Sequence, residues 1–227
     1  LGKEKVLIED ANGRILREKC IAKLSQPSFP MSAMDGYAIS SKDIKTNAQF
    51  KIIGESAAGH PSRKIIKAGE SIRIFTGAAI PEGADKVVIQ EQVLRRGNYI
   101  ELKEELDKSA YIRHSGSDFK EGFMLAAPKQ LTPYDIMLLA SMGYSKLNVS
   151  KKPVISIIST GDELINPGTK PKYGQIICSN SYGIKATLEN NGAIAKILPI
   201  AKDDIKSLEA AFDLAKGSDL IVTTGGA

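Results

Sequence analysis

Tryptophan is absent from the 227 residues, and cysteine and histidine occur only twice each. Cys20 and Cys178 lie far apart and form no CxxC pair, which argues against a disulfide framework or zinc site and fits a reducing compartment. His60 and His114 have no nitrogen or sulfur ligand nearby in sequence, so neither a histidine-held metal nor a Ser-His-Asp triad has support. No apolar run approaches the roughly 18 residues that span a bilayer, and no signal-peptide pattern opens the chain. These absences point to a cytoplasmic protein without a membrane partner. The net charge is +5, but the lysines are scattered and no basic stripe interleaves with aromatics. Nucleic acid is therefore not an expected partner.

What is present is a length and an apolar content of 42% that allow one or two cores. Residues 151–227 read most clearly. Positions 153–159 form a short, nearly continuous apolar run rich in β-branched residues, as in a strand buried on both faces of a parallel sheet. Ser179, Asn180 and Ser181 offer caps for a helix through about Asn190, and residues 193–200 return as a strand. Asp203 and Asp204 cap a further helix whose apolar face is Ile205, Leu208, Phe212 and Ala215. Residues 219–224 give a third strand ending at Gly225-Gly226. This alternation predicts a doubly wound α/β domain, with its ligand crevice beyond the carboxyl ends of the strands. Three strands are few for such a domain, and both chain ends read as cuts through a longer protein.

Residues 27–117 differ. Short strand-like runs punctuated by glycine, including 71–76 and 86–94, predict a small β-rich domain, with a hairpin around Arg95-Arg96-Gly97 joining 86–94 to 98–102. One helix stands outside it. Thr132 is its cap, Pro133 its first residue, Gly143 its stop, and Ile136, Leu139 and Ala140 its apolar face. The apolar set Val6, Leu7, Ile8, Ile15 and Leu16 is expected to pack with it, so residues 1–26 plus 118–150 would form an extended domain around an inserted β-rich one. The predicted fold class is multidomain α+β, with the α/β domain from residue 151 incomplete.

Two acid-bearing bends carry the functional signal. Asp35 precedes Gly36 after the extended approach 27–30, and Asp162-Glu163 follow Gly161 at the end of the apolar strand. Taken alone, Asp35, Thr76, Asp118 and Asp203 each have a local explanation as turn or cap residues. The adjacent carboxylates Asp162 and Glu163 are costly neighbours unless solvated, paired or metal-bound. With no histidine or cysteine ligand beside them, such oxygen donors suit magnesium better than zinc.

Pro30 with 32–38 (SAMDGYA), 72–78 with Pro81 and Gly83-Ala84-Asp85, 159–164 (STGDEL) with Gly168, Gly174-Gln175-Ile176 with Asn180, Asp203-Asp204, and 219–226 occur in one order. On these motifs the chain resembles the molybdopterin molybdenumtransferase family, related to the C-terminal region of gephyrin, over essentially its whole length. The resemblance implies a homodimer in which the β-rich domain of one subunit faces the α/β domain of the other, so that Asp35 and Glu163 would line one cleft. It implies a β-barrel domain after the α/β domain. The implied reaction joins molybdate to the dithiolene of adenylylated molybdopterin and releases AMP, with magnesium. Catalytic roles fall on Asp35, Thr76, Asp118, Glu163 and Asp203. The pterin nucleotide falls to Thr160, Gly161, Asp162, Ser181, Gly225 and Gly226, and the metal to Asp35, Asp162 and Glu163. Enzymes upstream and downstream in cofactor synthesis are implied partners. The alternatives are a gephyrin-like scaffold, or a pterin-binding module without turnover.

Overall fold

Gly36–Ile39 (β1) is buried at every position, which only the middle of a two-sided sheet allows. The computed structural model describes residues 1–45 and 48–225. In chain order the sheet's other strands are Gln49–Ser56 (β2), Glu70–Ile74 (β3), Lys86–Ile89 (β4), Val93–Arg96 (β5) and Tyr99–Leu102 (β6). Their spatial order is β4-β1-β3-β2-β6-β5, with β2 and β3 parallel and the other neighbours antiparallel. Alternation assigns Tyr37, Ile39, Val88, Phe50 and Ile100 to one apolar cluster and Ala38, Ile72, Ile74 and Val87 to another. The run 86–94 is two strands rather than one. A 3-10 turn, Gln90–Gln92, interrupts it, and the hairpin loop is Gly97-Asn98, because Arg96 pairs with Tyr99.

By contacts the chain divides into two compact units. One holds Cys20–Leu125 with Ser141–Gly143, and the other holds Leu1–Lys19, Ala126–Ala140 and Tyr144–Ala227. In the second unit both flanks of the inserted segment join one sheet, ordered Lys3–Leu7, Lys146–Ser150, Ile15–Leu16, Lys129–Gln130. Of the apolar set expected to pack there, Leu16 is fully buried, while Leu7 and Ile15 are exposed.

Helix α1 runs Pro133–Ser141. The Asp135 amide donates to Thr132 Oγ1 at 3.3 Å, and Asp135 Oδ2 accepts from the Thr132 amide at 2.9 Å, a reciprocal cap. Its buried side is Leu139, followed by Met142; Ala140 is exposed, contrary to the sequence expectation. Asp135 is only 5% exposed, which pushes its pKa up. Hydrogen bonds from Thr132 and the Lys129 ammonium, 2.7 Å away, more than offset this and hold the carboxyl below its usual range. A depressed carboxyl stabilises the fold above its unfolded-state pKa, and that contribution fades as pH falls through the folded value. Asp135→Ala should cost about 1 kcal/mol near neutrality, the worth of a helix cap. The gap between the urea midpoints of parent and variant should narrow as pH falls below the ordinary carboxylate range; a gap as wide in acid as at neutrality refutes the assignment.

The remaining elements are Val154–Ser159 (β7), Leu164–Ile165 (β8), Ile176–Ile177 (β9), Asn180–Asn190 (α2), Ile194–Ile197 (β10), Ile205–Leu214 (α3) and Leu220–Thr224 (β11). β7 lies between β10 and β11, parallel to both, as its apolar run predicts. Asp204 caps α3 by accepting from the Ser207 amide at 2.9 Å. The buried side of α3 is Ala211 and Ala215 with Leu208 partly covered, whereas Ile205 and Phe212 stay exposed. Small alanines let the helix approach Ile158 and Ile221 of the sheet, and the larger residues are left outside. Among the described residues no helix is long and apolar enough to cross a membrane.

Candidate functional site

Beyond Ser159 the chain keeps sheet geometry for one more residue. Thr160 bridges Ala201 in parallel, and its amide donates to the Thr224 carbonyl at 2.8 Å. At Gly161 the backbone takes φ +150°, and its amide donates to the Ala201 carbonyl at 3.1 Å. A Cβ at Gly161 would stand 2.5 Å from Glu163 Oε2, so only glycine lets that carboxylate fold back over the turn. Ile176 then donates its amide to the Glu163 carbonyl at 2.9 Å, tying the acid-bearing turn to β9. Across the strand ends Gly225 has φ +141°. A Cβ there would collide with Thr160 Oγ1 and stand 2.5 Å from the Thr160 carbonyl oxygen.

These turns wall a cleft of about 620 Å³ at the carboxyl ends of β7 and β11. Thr160, Gly161, Glu163 and Asp203 line one part, and Ser179, Asn180, Thr224 and Gly225 another. Leu164, Ile176 and Ile177 supply apolar surface. Because Asp204 serves as the α3 cap, its neighbour Asp203 is left to line the cleft. Among the described residues no lysine or arginine lines it, so an anionic guest relies on backbone N–H groups or an accompanying cation. The start of α2, where the first N–H groups have no intrahelical carbonyl, forms one wall.

Beneath lies a chain of small polar groups that local patterns do not disclose. Ser159 Oγ accepts from Thr224 Oγ1 at 3.1 Å and from Cys178 Sγ at 3.2 Å, and Cys178 Sγ lies 3.4 Å from Ser181 Oγ. Cys178 also lines the cleft. Ser181, expected at the ligand, is 1% exposed and turned into this network; Ser179 and Asn180 occupy the wall instead. The expected side-chain cap at Ser179 is not made, because its helical φ and ψ of −107° and −32° depart from the extended geometry that such caps need. Asp162 is exposed and sits beside the cleft lining, with Oδ1 accepting from the Asp203 amide at 3.4 Å. Gly226 lies outside the described residues.

Asp35 and Thr76 meet in the other unit. Thr76 donates to Asp35 Oδ1 twice, from its amide and its hydroxyl, both at 2.8 Å. These bonds, the amide one foremost, hold the Asp35 carboxyl below its usual range, with the Arg73 charge adding to them. Asp35 thus stays ionised, with Oδ2 lacking a hydrogen-bond partner among the described residues. Asp118, in the same unit, is neither a cap nor an Asx-turn but an ion-pair partner. Arg113 Nη2 donates to its two oxygens at 2.8 and 3.0 Å. Among the described residues no three or more His, Cys, Asp or Glu side chains are grouped to hold a metal ion.

Residues 1–143 match the family described as MoeA N-terminal region (domain I and II), and residues 156–227 match the probable molybdopterin binding domain. A molybdopterin molybdenumtransferase of Haemophilus influenzae is 36% identical over 222 residues, covering 96% of this chain and 55% of the relative. One from Nostoc sp. is 32% identical, covering 95% of this chain and 51% of the relative. A solved structure of a molybdopterin biosynthesis MoeA protein from Pyrococcus horikoshii superimposes with a TM-score of 0.87 at 29% identity, covering all of this chain and 62% of that one. The chain thus spans about half the length of the curated relatives it matches.

Proposed function

Because the chain belongs to the MoeA family, we propose that the cleft above β7 receives adenylylated molybdopterin and that the whole protein joins molybdate to its dithiolene, releasing AMP. The observation that carries this reading is the acid-and-glycine cleft itself. Glu163 and Asp203 face a space walled by two glycine turns and a helix start, where parallel α/β sheets take their ligands.

In this reading the first-turn N–H groups of α2 and the backbone about Gly161 hold phosphate oxygens. Glu163 and Asp203 orient the water that attacks the adenylate phosphorus and accept its proton as the phosphoanhydride bond breaks. Asp35, kept ionised by Thr76, and Asp118 serve the same reaction. The leaving AMP and the molybdate are both anions, and among the described residues the cleft lining offers them no fixed positive side chain. Magnesium fits that deficit: the donors are oxygen, and the ion commonly takes one or two carboxylates together with substrate phosphates and water. Asp162 and Glu163 would hold it, with Asp35 brought from a second subunit of the homodimer, and when bound it would neutralise phosphate and molybdate charge.

To the same reading belong a homodimer, a cytoplasmic location, exchange with enzymes upstream and downstream in cofactor synthesis, and a three-part division at residues 1–26 plus 118–150, 27–117 and 151–227. Incubating the full-length protein with adenylylated molybdopterin should release AMP when molybdate is added, and little without it. Tight binding with no AMP under either condition would leave a pterin-binding module in place of an enzyme.

A further inference from the structure

We propose that Arg73 is a positioning residue for the Asp35–Thr76 pair, a fork that locks three strand ends around the carboxylate. The inference rests on the functional reading of Asp35 given above. Asp35 directly precedes β1, Thr76 follows β3 by two residues, and Gln90 directly follows β4. Register brings these ends together, since Gly36 pairs with Ile74 on one side and Ile89 on the other.

Arg73 sits on β3 opposite Tyr37 and reaches both neighbours. Its Nη1 donates to the Gly36 carbonyl at 3.0 Å and its Nη2 to Gln90 Oε1 at 2.7 Å. The Gln90 backbone N–H in turn donates to the Asp35 carbonyl at 3.1 Å. The guanidinium carbon lies 5.1 Å from the Tyr37 ring centre and 4.7 Å from that of Phe75, which fixes the plane of the fork. From the β4 side the backbone is equally confined, because a Cβ on Gly36 would collide with the Val88 carbonyl oxygen.

Both acceptors of Arg73 are neutral, and among the described residues no carboxylate forms a salt bridge with it. The strands are already paired through their backbones, and the guanidinium meets their apolar clusters at the Tyr37 ring. What the fork adds is a fixed direction for the bend that carries Asp35. A lysine has a point charge with no planar fork and cannot reproduce it.

The test measures kcat and KM for molybdate-dependent AMP release in the full-length protein, with Asp35→Ala as control. Arg73→Ala should lower kcat about 100-fold with KM within about threefold, the signature of a misplaced group and not of a lost contact. Arg73→Lys should recover little of that loss. A kcat for Arg73→Ala within about threefold of the parent overturns the proposal, as does a loss confined to KM. Should Arg73→Ala fail to fold, Gln90→Ala decides: it should lower kcat about tenfold at an unchanged unfolding midpoint, and an unaffected kcat overturns the proposal. Full activity in Asp35→Ala strikes the underlying reading of Asp35 instead, a result that the Arg73 variants cannot mimic.

Discussion

Glu163→Gln should lower the molybdate-dependent AMP release proposed for the full-length protein by about 10²- to 10⁴-fold, the range expected for loss of a positioned acid–base group. Glutamine matches glutamate in size, so the turn over Gly161 keeps its packing and the cleft its shape. The bond from the Ile176 amide to the carbonyl at position 163 is a backbone bond and survives the change. What disappears is the negative charge and a basic oxygen facing the cleft. The unfolding midpoint should therefore stay close to that of the parent, and the loss should lie in kcat. Asp203→Asn is the companion variant, because its carboxylate lines the same cleft while the α3 cap at Asp204 is untouched. If Glu163→Gln turns over within about threefold of the parent, acid–base work of that size cannot lie at Glu163.

That cleft was largely legible in the amino-acid sequence, because its walls are strand ends. An apolar β-branched run closing on Thr160-Gly161-Asp162-Glu163 states both the buried strand and its terminus, and the structure places Val154–Ser159 there, between two parallel neighbours. Asp203-Asp204 announced a helix start, but local pattern alone left open which acid caps; the bond to the Ser207 amide assigns that task to Asp204. Other features depend on contacts remote in sequence, where periodicity is silent. Cys178 reads as a stray thiol until the fold brings it beside Ser159, 19 residues earlier, whose hydroxyl also accepts from Thr224. The buried side of α3 was misjudged because helical spacing fits the larger Ile205 and Phe212 as well as Leu208 and Ala215; close approach to the sheet selects the alanines. Asp118 has an ordinary turn sequence around it, and only the folded chain shows Arg113 holding it.

The second large effect falls on a residue with no side chain. Gly225→Ala should destabilise the α/β unit by about 1–3 kcal/mol, the cost of holding an alanine in a backbone region that L-residues avoid, and should abolish AMP release as well. The backbone at φ +141° is one penalty, and the collision is another. The new methyl would meet Thr160 Oγ1 and stand 2.5 Å from the Thr160 carbonyl oxygen. The hydroxyl can rotate, but the carbonyl cannot retreat freely. Its residue is pinned by a hydrogen bond from its N–H to the Thr224 carbonyl at 2.8 Å and by its bridge to Ala201. Relief must therefore come from parting the ends of β7 and β11, which are the floor of the cleft. Gly161→Ala provides the contrast. There the methyl meets the carboxylate tip of Glu163, which is able to swing away, so stability should fall less while turnover falls as far. Urea midpoints and AMP release measured on both variants separate the two cases. A Gly225→Ala protein with parental midpoint and parental turnover would mean that the close approach of these two turns has no bearing on the site.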